Sequence, residues 1–385
     1  MKKHRIGIIG TGFIARGLML ALKSHPELEI SGVVTRRSLS HLEGIPLDSA
    51  FLTNDVDEVI KKSDLIVECS GDVIHGTEVV EKAFASGLPV VTMNSELQVV
   101  SGTALGKRGI LIEAEGDQPG TIAALDREVK DMGFIPIVYG NIKRFLNLNP
   151  TPEEMDYWSK RQGISLDQVT AFTDGTKVQV EQTLVANALG ATIVCRNLSG
   201  IPCKDLEDGA QRLAEIADGI GTPISDYVLS SNAPAGVFIV AKHEDGQKPY
   251  LEYLKLGMGP YYVIVRPYHL CHLEIPRTIV HVLSGNNRIA FNNGKAPAIQ
   301  TVAVAKRAIA KDETLKRGLG SFVVRGEAVK IKNCPEGVPI GLLQDAKFIR
   351  SVAEGQIITF ADVELPKSRA LELWRETLEE VLASK

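Results

Sequence analysis

The chain has 385 residues, with 43 Lys and Arg against 47 Asp and Glu and a formal net charge of -4. That balance excludes a generally basic nucleic-acid binder, and an aromatic content of 5% argues against a stacking platform for single strands. The length exceeds the roughly 250–300 residues that one core usually fills, so at least two domains are expected. The five cysteines, Cys69, Cys195, Cys203, Cys271 and Cys334, form no C-x-x-C pair and are odd in number. A disulfide framework is therefore not expected, and a reducing cytoplasm is the simpler setting. The opening Met1-Lys2-Lys3-His4-Arg5 is followed by an apolar run too short for a signal peptide, broken by Gly10-Thr11-Gly12. No run of about 18 apolar residues occurs, so no membrane span is predicted.

In chain order, Ile6 to Ile9 is a short apolar strand, and Gly10 to Lys23 has helical periodicity through Ile14, Leu18, Ala21 and Leu22. Leu28 to Val34 is strand-like. Asp64 to Cys69 is a third apolar run, Thr77 to Ala85 a helix, Leu88 to Met93 a fourth run and Ile110 to Glu113 a fifth. A helix follows from about Thr121 to Met132. Strands alternating with helices imply βαβ units and a parallel sheet.

The first strand runs into Gly10-Thr11-Gly12-Phe13-Ile14-Ala15, which reads G-x-G-x-x-A. Gly10 permits a tight turn, Gly12 lets the backbone approach a pyrophosphate, and Ala15 lets the helix pack close to the strand. The helix start then offers free N–H groups and a positive dipole end to phosphates. The motif follows a strand and opens a helix, which is the context that makes it informative. The second strand ends in Val34-Thr35-Arg36-Arg37-Ser38, with no acidic residue for a ribose 2′-OH. Arg36 and Arg37 suit a 2′-phosphate, so NADP is expected over NAD; the bland alternative is a pair of solvated charges. Ser70-Gly71 and Asn94-Ser95-Glu96 end later strands, where ligands sit in doubly wound sheets. Gly116-Asp117-Gln118-Pro119-Gly120 is either a turn or part of the site. Gly10, Thr11, Gly12, Phe13, Ile14, Arg36, Arg37, Ser70, Gly71, Asn94, Glu96, Gly116 and Asp117 are thus the candidate cofactor-binding residues.

Several stretches carry a family resemblance. They are Met93-Asn94-Ser95-Glu96, Gly116-Asp117-Gln118-Pro119, Leu146 to Pro152, Asp174-Gly175-Thr176-Lys177 with Glu181 and Val185-Ala186-Asn187-Ala188, and Gly259-Pro260-Tyr261 with Arg266 to Leu270. The opening resembles homoserine dehydrogenases. The middle resembles a narrower homoserine dehydrogenase-like group that includes 1-deoxy-D-xylulose 5-phosphate reductoisomerase-like enzymes. The resemblance implies polar and charged substrate ligands in the middle segment. It also brings a Gly-Lys-Gly-Pro-Tyr pattern in which this chain has Met258 for the lysine, a departure that weakens any carry-over of phosphosugar specificity.

Read without the family, Asp174 to Lys177 is a hairpin-like turn into Val178-Gln179-Val180, followed by a helix from about Glu181 to Leu189. Lys177 and Glu181 would pair if both were helical. Either they form a surface ion pair, or Lys177 polarises a carbonyl or shares a proton with the substrate while Glu181 and Asn187 hold hydroxyl groups. Lys143 is a second candidate acid or base, or a solvated lysine beside Arg144. Asp174, Asn187, Arg266 and His269 are candidate substrate ligands; a structural or interface role is equally open for Arg266 and His269. His269 and His272 with Glu274 suggest a metal, but i and i+3 on an extended strand face opposite ways and would not share an ion easily, so the metal is left open. Pro267 and Pro276 argue against a helix there.

Beyond residue 297, strands at Gln300–Ala305, Phe322–Val324 and Ile357–Phe360 alternate with turns, and Lys367 to Leu382 is an amphipathic helix with Leu371, Trp374, Leu378, Val381 and Leu382 in its stripe. The stretches Val304 to Ala310 and Glu354 to Thr359 resemble a SAF domain. The expected fold is α/β: a Rossmann doubly wound parallel sheet over 1–140, an α+β substrate and dimerisation domain over 141–296, and a SAF-like β module plus helix over 297–385. The expected function is an NADP(H)-dependent oxidoreductase acting on a small polyhydroxylated carbonyl compound. The resemblance points first to 1-deoxy-D-xylulose 5-phosphate reductoisomerase-like chemistry, which implies a divalent cation, Mg or Mn. The alternatives are a dehydrogenase of homoserine or another sugar acid or ketose, and a non-catalytic nucleotide-binding regulator. No nucleic-acid or membrane partner is expected, and a homodimer or higher homo-oligomer is.

Overall fold

The computed structural model describes residues 3–286, 288 and 290–383. Met1 and Lys2 of the basic opening run, and the last two residues of the expected C-terminal module, lie outside the described residues. The alternating apolar runs of the first 113 residues become β1 (His4–Ile9), β2 (Leu28–Val34), β3 (Leu52–Thr53), β4 (Leu65–Glu68), β5 (Val90–Thr92) and β6 (Leu111–Glu113). All neighbours are parallel, in the order β3-β2-β1-β4-β5-β6. This is the doubly wound Rossmann order, with the winding reversing between β1 and β4. Successive strand residues point to opposite faces. Leu65 and Val67 therefore enter one core with Ile6, Ile8, Leu18 and Met19, while Ile66 enters the other with Val79, Val80 and Ala83.

Two later segments return to this sheet. The helix Cys271–Leu283 adds Ile275 and Ile279 to the first core, and the helix Arg369–Ala383 adds Leu373 to the second. One compact unit is therefore 1–120, 270–296 and 367–385, and the other is 121–269 and 297–366. This differs from the three consecutive parts expected, because apolar stripes at Ile275 and Ile279 and at Leu373 are buried on the first sheet. Pro276 lies inside the helix Cys271–Leu283, correcting the expectation that prolines exclude a helix there. The backbone N–H it lacks removes one intrahelical bond, and its burial with Ile275 and Ile279 favours the helix.

The second unit is built on a five-stranded mixed sheet. Its strands are β7 (Ile135–Lys143), β8 (Ile201–Pro202), β9 (Ile224–Leu229), β10 (Val237–Lys242) and β11 (Tyr262–Arg266), in the order β11-β10-β7-β9-β8. The helix Leu206–Ile220 packs its Ala210, Leu213, Ala214 and Ala217 against Val138, Val228 and Phe238 of the sheet. The later strands are β12 (Ile299–Ala305), β13 (Thr314–Arg317), β14 (Val324–Lys330), β15 (Gln344–Phe348) and β16 (Val363–Glu364). β12 pairs antiparallel with β14, and β13, β15 and β16 form a second small sheet. The strand expected at Phe322–Val324 instead begins at Val324. Ile357 and Thr359 make single bridges, to Val304 and Gly337, rather than a strand.

The largest local correction is at 174–180. Thr176–Leu189 is one helix, so Val178-Gln179-Val180 is helical and not a strand. The β-branched residues Thr176, Val178 and Val180 read as extended, but Thr176 and every residue from Val178 to Ala186 are buried, and burial on all sides erases an amphipathic period. One stripe of this helix holds the β12–β14 ribbon. The Thr176 hydroxyl accepts the Gly326 N–H at 2.9 Å, Gln179 Oε1 accepts the Ala328 N–H at 2.9 Å, and the Thr183 and Thr301 hydroxyls stand 3.0 Å apart. Spacings of three and four residues put these side chains on one face. No helix among the described residues is long and apolar enough to cross a membrane.

Candidate active site

The first unit carries the nucleotide-binding features. Gly10 has φ +119°, and a Cβ there would stand 2.7 Å from the Cys69 carbonyl oxygen, so the turn after β1 requires glycine. Gly12 caps the helix Phe13–Ala21 with no side-chain hydrogen bond, and a Cβ built on it meets no atom of the described residues within 4 Å. The helix start is therefore open above a bare backbone, and its uncapped N–H groups suit an anion. Phe13 is 54% exposed, Ile14 half-buried and Ala15 buried. The residues present thus fit a dinucleotide pyrophosphate.

At the end of β2 the Thr35 hydroxyl lies 3.1 Å from that of Thr11, and both residues are buried. Arg36 Nη2 forms an ion pair with Asp72 Oδ2 at 2.9 Å, while Arg37 is exposed. Beyond β4, the Ser70 hydroxyl and N–H both donate to Glu68 Oε1. Glu68 is fully buried, and desolvation pushes its carboxyl above the ordinary range despite the bonds from Ser70 and Thr92. Gly71 has φ +63° with open space at its Cβ position. The Asn94 amide is engaged by protein: Oδ1 accepts the Leu97 N–H at 3.1 Å and Nδ2 donates to the Asp72 carbonyl at 3.3 Å. Glu96 is half-buried in the short helix Ser95–Leu97 that follows. Gly116 has φ +107° and lies against the Cys271 carbonyl. Asp117 is buried, with the Ser95 hydroxyl 3.2 Å from its Oδ2 and 3.0 Å from Glu113 Oε1. Glu68, Asp72, Thr35 and Ser95 are thus part of this strand-end network although sequence reasoning singled out none of them; Thr35 and Ser95 sit inside the quoted motifs.

The second unit holds a separate polar constellation. β7 ends at Lys143, and Lys143 Nζ lies 3.3 Å from Glu181 Oε2 with side chains 17% and 1% exposed. Asn141, two residues earlier on the same face of β7, donates Nδ2 to the same Glu181 oxygen at 2.8 Å. Lys177, one turn before Glu181, is half-buried. The structure therefore brings Lys143 to Glu181 and adds Asn141. A lysine beside a buried carboxylate, partly open to its surroundings, can donate or accept a proton and return to its ion pair.

The other expected ligands have structural partners. Asp174 Oδ1 accepts the Thr176 N–H at 2.9 Å and Oδ2 pairs with Lys306. The Asn187 amide bonds the backbone at the start of β12, to the Ile299 carbonyl and the Ala298 and Ile299 N–H groups, each at 2.9 Å. Arg266 pairs with Glu128, and its buried Nη1 has no hydrogen-bond partner among the described residues. His269 is half-buried after β11, and His272 is on a helix rather than an extended strand. Among the described residues no group of three or more His, Cys, Asp or Glu side chains is placed to hold a metal ion, so a divalent cation has no preformed ligand set of that kind here.

The comparisons with known proteins divide along the same line. Residues 10–107 match the family model described as homoserine dehydrogenase, NAD binding domain, and residues 116–275 match the one described as oxidoreductase DRL, catalytic domain. Meso-diaminopimelate D-dehydrogenase from Lysinibacillus sphaericus is 31% identical over 71 residues, 18% of this chain and 22% of that protein. The chain thus matches about a fifth of that relative's length. A homoserine dehydrogenase structure from Thiobacillus denitrificans is 15% identical over 92% of this chain and 98% of that one, with a TM-score of 0.46. An oxidoreductase structure from Thermotoga maritima is 16% identical over 76% and 92%, with a TM-score of 0.43. The chain is thus similar to an NAD-binding domain over its first stretch and to an oxidoreductase catalytic domain over its middle.

Proposed function

We propose that the protein is an NADP(H)-dependent oxidoreductase that interconverts a carbonyl and a hydroxyl on a small polyhydroxylated compound. The observation that carries this reading is the Lys143–Glu181–Asn141 constellation in the unit whose sequence matches an oxidoreductase catalytic domain. Bound NADP(H) supplies or accepts the hydride. Gly10, Gly12 and the N–H groups of the following helix hold the pyrophosphate, and Arg36 and Arg37 take the 2′-phosphate. Lys143 donates a proton to the oxygen of the reduced carbonyl, or removes it in the reverse direction. Glu181 keeps the ammonium oriented, Asn141 fixes the carboxylate, and Lys177 supplies a second cation for substrate oxygens. The SAF-like β12–β14 ribbon supports the helix that carries Lys177 and Glu181.

The purified protein with NADPH or NADP, with and without Mg or Mn, is assayed by the cofactor's absorbance against sugar phosphates, sugar acids, ketoses and homoserine. Turnover of 1-deoxy-D-xylulose 5-phosphate with a divalent ion supports the reductoisomerase-like reading. Turnover only of an unphosphorylated compound rejects it and agrees with Met258 in place of the family's lysine. No turnover of any of them, together with tight nucleotide binding, favours a regulator.

A further inference from the structure

The two arginines at the end of β2 spring from a turn that is held at unusually many points. β3 is only Leu52–Thr53, paired with Val33 and Val34. The next residue, Asn54, sends both donors of its amide to this turn: Nδ2 lies 2.5 Å from the Thr35 carbonyl oxygen and 3.0 Å from that of Arg37. Those carbonyls flank Arg36 on either side. The Thr35 N–H donates to the Thr53 carbonyl at 3.0 Å, and the Arg37 N–H donates to the Thr35 hydroxyl at 3.2 Å. That hydroxyl in turn lies 3.1 Å from Thr11 of the glycine turn. The backbone of 35–37 is thus tied both to β3 and to the pyrophosphate turn, while both arginine side chains remain largely exposed.

We propose that Asn54 is a positioning residue for 2′-phosphate recognition, setting the preference for NADP(H) over NAD(H) without touching the nucleotide. The inference rests on the NADP reading above. Arginine side chains lose much rotamer freedom on binding, and a mobile backbone beneath them would add to that loss. Fixing the carbonyls before and after Arg36 removes the backbone share and sets the direction in which Arg36 and Arg37 leave the chain. The chemistry asks for an amide: two carbonyl acceptors need two N–H donors. An aspartate at the same place would present oxygens to oxygens. Asp72 completes the arrangement by holding the Arg36 guanidinium at 2.9 Å, which leaves Arg37 as the more mobile phosphate ligand. Asn54 is exposed and its bond to the Thr35 carbonyl is only part-buried, so replacing it is expected to cost the fold little.

The test is the dissociation constant of NADPH and of NADH, read by the emission of the bound nicotinamide, for the wild type, Asn54→Leu, Asn54→Asp and Arg37→Ala. The wild type is expected to prefer NADPH. Both Asn54 variants are expected to weaken NADPH about tenfold, with NADH changed less than about twofold and the melting temperature unchanged. Retention of the wild-type ratio by both Asn54 variants, with the ratio lost in Arg37→Ala, overturns the role of Asn54 and leaves the NADP reading intact. A wild type that binds NADH as tightly as NADPH overturns both. Asn54 variants that weaken the two nucleotides equally overturn the positioning role in favour of a general structural one.

Discussion

Lys306 Nζ and Asp174 Oδ2 stand 2.5 Å apart, 132 residues apart in sequence, with side chains 4% and 0% exposed. Lys306 also donates to the Ser321 carbonyl at 2.7 Å, and Asp174 accepts the Thr176 N–H that opens the helix carrying Lys177 and Glu181. Burial lowers the Lys306 ammonium's affinity for its proton, while Asp174 opposes this. Removing one partner leaves a buried, uncompensated charge, at a cost of about 3–5 kcal/mol. Lys306→Met and Asp174→Asn are therefore each expected to lower the urea midpoint sharply, and the double variant Lys306→Met with Asp174→Leu to recover much of the loss. If Asp174→Asn kept its stability and lost only substrate affinity, the carboxylate would belong to the substrate instead.

Glu68 predicts a specific pH dependence. Burial raises its carboxyl above the ordinary value of 4.5. In the window above 4.5 the folded chain therefore holds a proton that the unfolded chain has released. More protons bound in the folded state means that stability falls as pH rises through that window. Glu68→Gln, which still accepts the Ser70 bonds, is expected to remove this contribution. Thermal melts of both proteins from pH 4 upward check it; parallel curves, with the same slope in that window, would count against a raised carboxyl.

The strand, glycine turn and helix of the first βαβ unit were legible because their chemistry is contiguous in sequence: a strand, Gly10, Gly12 and Ala15, and then the next strand. The pairing of Lys143 with Glu181 was not, although both residues stood out singly. They are 38 apart, and the helix that presents Glu181 is buried on nearly every side, so its Val178 and Val180 mimic a strand. Asp174 and Asn187 show the converse. Their types suit a sugar, yet both are engaged by the backbone of their own unit, at Thr176 and at Ala298 and Ile299. Asn54 left no signal, since its partners are carbonyls, which every residue carries. Lys306 was quoted only within a β-module cue, and its value depends on a carboxylate far away in the chain.

Lys143 is expected to carry the proton. Lys143→Met should lower kcat by about 10²–10⁴-fold, the usual contribution of a positioned acid or base. Lys143→Arg keeps the charge beside Glu181 but does not release a proton near neutral pH, so KM should stay near wild type while kcat falls as in the methionine variant. Glu181→Gln should lower kcat as well, because the ammonium loses the carboxylate that orients it. Unchanged thermal melts of the lysine variants separate this from a general loss of structure. If Lys143→Arg were fully active, the proton would have to come from another group, with Lys177 the next to test.

Gly12 separates binding from folding. Its φ is -77°, which any residue adopts, and a Cβ there meets nothing within 4 Å among the described residues. Gly12→Ala should therefore fold with unchanged or slightly raised stability, by about 0.4–1 kcal/mol from the less flexible unfolded chain. The same methyl group fills the space through which a pyrophosphate would reach the helix N–H groups, so nucleotide affinity should fall by at least about tenfold. Gly10→Ala makes the contrast, since at φ +119° and 2.7 Å from the Cys69 carbonyl it should lower the melting temperature as well. Isothermal titration with NADPH and a thermal melt on each variant read the two effects independently. Wild-type affinity in Gly12→Ala would mean that the dinucleotide is held elsewhere than over this turn.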